Sequence, residues 1–193
     1  MRGHVDTFES FISDADLIVE IAKKDNPNLP IFMLGHSMGG FIAFIYGLKH
    51  GHKLRGQILS ASATSKPKES KGFKSKILKF MNMFLPMKRI KNPVARDATE
   101  LSSVSLNLYV QFLTYGIEHL QKNIGKYKGS CLILHGKKDR VIDIETSLNL
   151  YNDISSSDKL IKIYDGLSHD LLKAKDEDVV FEDIHKWLNE RVS

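Results

Sequence analysis

Cysteine is nearly absent. Cys131 is the single one in 193 residues, so no intramolecular disulfide can staple the fold. It sits in the apolar run Cys131-Leu132-Ile133-Leu134, which reads as an inert core thiol in a reducing compartment. No apolar run approaches the roughly 20 residues that span a bilayer. The polar stretch after Met1-Arg2-Gly3-His4 does not have the pattern of a secretory signal, and a cytoplasmic protein is expected. No Cys/His cluster has metal-ligand spacing, so no metal is expected. No repeat with a period of about 20–50 residues is visible, which sets aside solenoids and propellers. What remains is an ordinary globular composition, 42% hydrophobic and 26% charged, with enough length for a real core in one domain.

The most informative stretch is Gly35-His36-Ser37-Met38-Gly39, which fits the G-x-S-x-G pattern of a nucleophile elbow. Before it runs Pro30-Ile31-Phe32-Met33-Leu34, short and apolar, a buried parallel strand. After it runs Gly40 to His50, an apolar helix ending near Gly51. A serine hydroxyl is a weak nucleophile until a base takes its proton. A sharp turn between strand and helix would lift Ser37 above the sheet. In so tight a turn, side chains at Gly35 and Gly39 are expected to crowd strand against helix. The backbone N–H of Met38, at the helix N-terminus, is positioned to hold an oxyanion.

Around this stretch the chain alternates helix and strand. Asp6-Thr7-Phe8-Glu9 starts a helix whose apolar face is Phe8, Phe11, Ile12, Ala15, Ile18, Val19 and Ala22. Leu54 to Ser62 reads as a strand, as do Gly129 to His135 and Lys159 to Tyr164. Ile144 to Ile154 and Val179 to Val192 read as helices. This alternation predicts an α/β fold, a mostly parallel sheet with helices on both faces. Residues 1–62 and 126–193 form the two parts of its core, and 63–125 is an insertion.

Acidic residues are scarce in one segment of that insertion. Lys66 to Lys91 holds nine basic residues and one acid, Glu69; without them the net charge would change from +5 to −3. Within it Phe73, Ile77, Phe80, Met81, Phe84 and Leu85 recur at helical spacing, giving a basic amphipathic helix. Lysines beside a regular apolar face suit a lipid surface better than nucleic acid, and no nucleic-acid-binding fold is recognisable. A further helix is expected from Ser103 to Gln121.

A serine nucleophile needs a histidine base and a carboxylate that orients it. In open parallel sheets such groups gather beyond the C-terminal ends of strands. Asp139 follows the strand ending at Leu134-His135-Gly136, and His169 follows the next. The order Ser37, Asp139, His169 is nucleophile, acid, base. Asp143 is a second candidate acid, although it is also placed to cap the next helix. Asp165 and Asp170 lie too near His169 in sequence to be its expected partner. His36 should be turned away from Ser37, and His135 can line the site; neither is expected to be the base.

Three stretches, Gly35-His36-Ser37-Met38-Gly39-Gly40, His135-Gly136-Lys137-Lys138-Asp139 and Ser168-His169-Asp170-Leu171-Leu172, resemble the monoacylglycerol lipase and lysophospholipase group of α/β-hydrolases, also classed with the serine aminopeptidase-like hydrolases. Arg2 to Phe8 resembles the segment preceding the elbow in that group. The resemblance covers essentially the whole chain. It implies the α/β-hydrolase fold, with Ser37 as nucleophile, Asp139 as acid, His169 as base and Met38 at the oxyanion hole. It implies that 63–125 is a helical cap whose apolar face, Phe73, Ile77, Phe80, Met81 and Phe84, receives an acyl chain. The implied reaction is hydrolysis of carboxylic esters of lipids, monoacylglycerols or lysophospholipids, without a cofactor. The alternative is a weakly catalytic module that binds lipid surfaces, with peripheral membrane contact through the basic segment. The group carries further N-terminal strands and a His-Gly loop giving a second oxyanion donor. The chain begins after them, so those strands are expected to be absent and the strand 31–34 to be an open apolar edge.

Overall fold

The computed structural model describes residues 2–65, 73–92, 101–173 and 177–192, and the side chains of 73–75 lie outside that description. In chain order the elements are α1 (Phe8–Asp25), β1 (Phe32–His36), α2 (Met38–His50), β2 (Gly56–Ser60), α3 (Phe73–Phe84), β3 (Arg89–Lys91), β4 (Ser103–Ser105), α4 (Leu106–Val110), α5 (Ile117–Asn123), β5 (Cys131–Gly136), α6 (Ile144–Asp153), β6 (Lys159–Tyr164) and α7 (Asp178–Val192). They divide into two compact units, one of residues 1–13 and 65–122, the other of 14–64 and 123–193. Residues 1–13 thus group with most of the inserted segment.

The larger unit holds a sheet of order β1-β2-β5-β6 in which all pairs are parallel. The register pairs His36 with Ser60, Ser60 with Leu134, and His135 with Ile163. The strands therefore finish side by side, and the loops after them emerge at one end. The central strands β2 and β5 are buried along their whole length, as near-continuous apolar runs in covered parallel sheets are. Alternation sends their side chains to two faces. On one face Ile58, Leu132 and Leu134 form a core with Val180, Ile184 and Trp187 of α7. Truncating a buried aromatic such as Trp187 to Ala typically costs about 3–5 kcal/mol. On the other face α2 buries Phe41, Phe44 and Ile45, and the Gln57 side-chain amide of β2 donates to the Ala43 carbonyl at 2.5 Å.

β1 is an edge strand. Among the described residues no strand pairs with its outer side, and Leu34 is 46% exposed, which is the apolar edge expected from the sequence. The α1 face is narrower than its periodicity suggests. Phe8, Ile12 and Val19 are buried, but Ile18 turns outward with Leu17 and Ile21.

The smaller unit is held by a buried polar hub. The Asn107 amide donates to the carbonyls of Val5 at 2.6 Å and Asp6 at 2.9 Å, while its oxygen accepts from Asn82 at 2.7 Å. Around it Val5, Phe8, Ile12, Leu106, Val110, Ile117 and Leu120 are buried. The single helix expected over 103–121 is interrupted. Residues 103–105 are extended and pair with β3, Ile90 opposite Val104. Ser105, not Ser103, caps the helix, accepting from the Leu108 N–H at 3.0 Å. Residues Gln111–Gly116 then widen into a π-helical turn before α5.

Candidate active site

Ser37 stands between β1 and α2 with φ 55° and ψ −119°. Ser37 and Ala61 are the two non-glycine residues with positive φ among those described. A residue held there stores about 1–3 kcal/mol of strain and persists only where its surroundings enforce it. The enforcement is visible. The Ser37 N–H donates to the Ser60 carbonyl at 2.9 Å, and the Ser37 carbonyl accepts from Ala63 N–H at 3.1 Å and Phe41 N–H at 3.2 Å. A side chain at Gly35 would collide with the Gly39 carbonyl and approach Ala43 Cβ to 2.9 Å. The second glycine role needs correction. A side chain at Gly39 would meet open space, whereas one at Gly40 would drive into Ser62, 2.7 Å from its Cβ. Gly35 closes β1 onto α2 and Gly40 closes α2 onto the segment after β2; a side chain at Gly39 would crowd neither.

Asp139 and His169 meet at the same end of the sheet. The His169 Nδ1–H donates to Asp139 Oδ2 at 2.7 Å, and the carboxylate is only 1% exposed. The other carboxylate oxygen, Oδ1, accepts the backbone N–H groups of Val141 at 2.7 Å and Ile142 at 2.9 Å. Burial alone would raise the Asp139 carboxyl; the bonds from His169, Ile142 and Val141 outweigh it and hold it below the usual carboxylate range. Asp139 thus stays charged while dry, as an orienting carboxylate must.

The neighbouring candidates fall into place around this pair. Asp143 caps α6, accepting from Glu145 N–H at 3.1 Å. Asp165 pairs with Lys137 at 2.9 Å. His36 packs its ring on that of His169, centroids 4.7 Å apart, with Nε2 3.7 Å from Asp170 and Nδ1 3.2 Å from the Ser60 hydroxyl. Met38 opens α2, where the first N–H groups have no partner within the helix. Ser37, Met38, Asp139 and His169 all belong to the larger unit. Ile77, Phe80, Met81 and Phe84 belong to the smaller one, and the side chain of Phe73 lies outside the described residues.

The family described as Serine aminopeptidase, S33 matches residues 1–176. The chain belongs to that family. It is 27% identical to the monoacylglycerol lipase of Mycolicibacterium smegmatis over 201 residues, covering 97% of this chain and 72% of that protein. It is 28% identical to the human monoglyceride lipase over 211 residues, covering 100% of this chain and 69% of the relative. Its fold matches the crystal structure of the Paleococcus ferrophilus monoacylglycerol lipase with a TM-score of 0.83 at 22% identity, over 98% of this chain and 77% of that one. The α/β-hydrolase fold expected from the sequence is therefore the fold of this serine aminopeptidase family member.

Two features of the site escaped sequence reasoning. The donors to Asp139 Oδ1 are backbone groups two and three residues on, a turn that aspartate commonly nucleates; Asp139 followed by Val141 and Ile142 carried that signal. The second is His135, which is fully buried rather than lining an open site. Nothing local to its sequence announces that.

The glycine assignment is directly testable. Gly35→Ala and Gly40→Ala should each lose about 1–3 kcal/mol in urea unfolding, the range of overpacked core positions. Gly39→Ala should stay within about 0.5 kcal/mol. A costly Gly39→Ala beside a neutral Gly40→Ala would reverse the assignment.

Proposed function

We propose that the chain is a serine hydrolase that cleaves carboxylic esters of lipids, monoacylglycerols or lysophospholipids, through an acyl-enzyme. One observation carries the reading. A buried, charged Asp139 grips His169 Nδ1 at 2.7 Å, at the same strand ends where Ser37 sits on a strained elbow. That leaves His169 Nε2 as the proton acceptor. The names of the relatives support the lipid ester: monoacylglycerol lipase, monoglyceride lipase and, more distantly, the phospholipase YtpA of Bacillus subtilis. A yeast monoglyceride lipase variant of the same fold has been solved with a substrate analogue, TM-score 0.79.

In the proposed cycle His169 takes the Ser37 proton as Oγ attacks the ester carbonyl. The Met38 N–H faces the oxyanion, aided by the positive end of α2. His169 returns the proton to the leaving alcohol, the acyl group stays on Ser37, and a water activated by His169 releases it. A Ser37–His169 hydrogen bond is not among those of the described residues; such contacts commonly tighten when substrate binds.

The smaller unit supports contact with lipid. Ile77 is exposed, Phe80 is 64% and Phe84 65% exposed, and Met83, Leu85 and Met87 add to the apolar surface. These residues and Met81 are proposed to meet acyl chains, with the lysines around them facing anionic head groups. Lys76 is exposed, whereas Lys79 is held by Glu118 at 3.2 Å and lies over the Tyr115 ring. Lys66, Lys68 and Lys71 lie outside the described residues, as does the Lys74 side chain. No described helix is long and apolar enough to cross a membrane.

Ser37→Ala and His169→Ala should each lower monoacylglycerol hydrolysis by about 10⁴- to 10⁶-fold, and Asp139→Asn by about 10⁴-fold. Turnover surviving Asp139→Asn but lost in Asp143→Asn would move the acid to Asp143. Vesicles containing phosphatidylserine should bind the chain less as salt rises. Changing Lys71, Lys74 and Lys76 to Glu should weaken binding further, each lysine being worth about 1 kcal/mol near an anionic surface. Binding indifferent to both salt and charge would remove the head-group role.

A further inference from the structure

His135 ends the buried run of β5 and is 0% exposed. Its Nε2 lies 3.1 Å from the Ile142 carbonyl, which can only accept, so Nε2 carries the proton. In the neutral ring Nδ1 then accepts, and the Ser147 hydroxyl of α6, 2.7 Å away, donates to it. The same Nε2–H lies 3.4 Å from Asp139 Oδ2, the oxygen already gripped by His169. One carboxylate oxygen thus faces two imidazoles, and the other takes two backbone N–H groups.

We propose that His135 is a positioning residue for Asp139, a neutral histidine of fixed tautomer whose Nε2–H helps hold Oδ2 in line with His169. The neutral form suits this arrangement. A protonated His135 would compete with His169 for the same anion. Burial pushes His135 below the ordinary imidazole range, more strongly than Asp139 and the Ile142 carbonyl pull it up. The charged and titratable groups facing it are Asp139 and Asp143 on the loop after β5 and His169 on the loop after β6. The consequence for turnover rests on the serine-hydrolase reading; the network does not, so the two are tested apart.

Nitrogen-15 NMR of the histidine rings reads the network without any activity. His135 should remain a neutral Nε2–H tautomer between pH 7.5 and 5.5. In His135→Leu the Asp139 carboxyl carbon should titrate at higher pH than in the parent, because the carboxylate has lost the N–H dipole 3.4 Å from Oδ2. The His169 Nδ1–H resonance should shift or broaden. His135→Gln, which keeps an N–H donor, should restore both towards the parent. Parent-like Asp139 and His169 signals in folded His135→Leu would overturn the proposal. If that variant does not fold, Ser147→Ala serves instead: it removes the partner of Nδ1, and an unmoved His169 resonance there would equally overturn it. In ester hydrolysis His135→Leu should lower kcat about tenfold with KM unchanged, the size of one hydrogen bond to a charged group. A parent without turnover but with these NMR shifts would sink the hydrolase reading and leave the positioning role standing.

Discussion

No side chain fits between Gly35 and the carbonyl of Gly39, and the larger unit is arranged around that closeness. Because β1 and the first turn of α2 approach so tightly, the one residue joining them must take positive φ. That residue is Ser37. Its strain is matched by two backbone bonds, to Ser60 at the end of β2 and to Ala63 just after it, and by the packing of Gly40 on Ser62. A methyl group at Gly35 would push α2 off β1, and one at Gly40 would push it off the segment after β2; in either case the turn would lose the surroundings that enforce it. The fold therefore holds the hydroxyl by exclusion of space rather than by a hydrogen bond to it.

The proposed acid and base are held differently. Asp139 is fixed by three donors, two backbone N–H groups of its own turn and the His169 imidazole, and so remains charged although nearly dry. This is costly unless every lone pair is met. The parallel register brings this loop beside the one carrying His169, since β5 and β6 end together. On the proposed reading the site combines a strained nucleophile with an unstrained, fully bonded acid–base pair, each built on a strand end.

Much of this was legible in the sequence because the signals are local. Gly35-His36-Ser37-Met38-Gly39 carries its own strand and helix, and Asp139 and His169 each follow an apolar run of strand length. Asp143 was readable as a cap for the same reason. What was not legible depends on what lies across space. Gly39 looked like the crowded glycine because the motif names it, but the collision is at Gly40, with Ser62 from another strand's loop. The helix expected at Ser103 starts at Ser105 because residues 103–105 find a partner in β3. Ile18 satisfies the helical period of α1 and still turns outward while Val19 is buried, since periodicity gives a face but not how wide a stripe of it the core covers. His135 meets Ser147 only because α6 folds back over the end of β5.

The central claim is that Ser37 is a nucleophile made reactive by its surroundings. Mass spectrometry of the chain after exposure to a fluorophosphonate tests it most directly. The account predicts a covalent adduct on the peptide containing Ser37, absent from other serine peptides and lost on prior unfolding. A folded chain that takes no adduct, or takes it equally on serines remote from the elbow, would contradict the account.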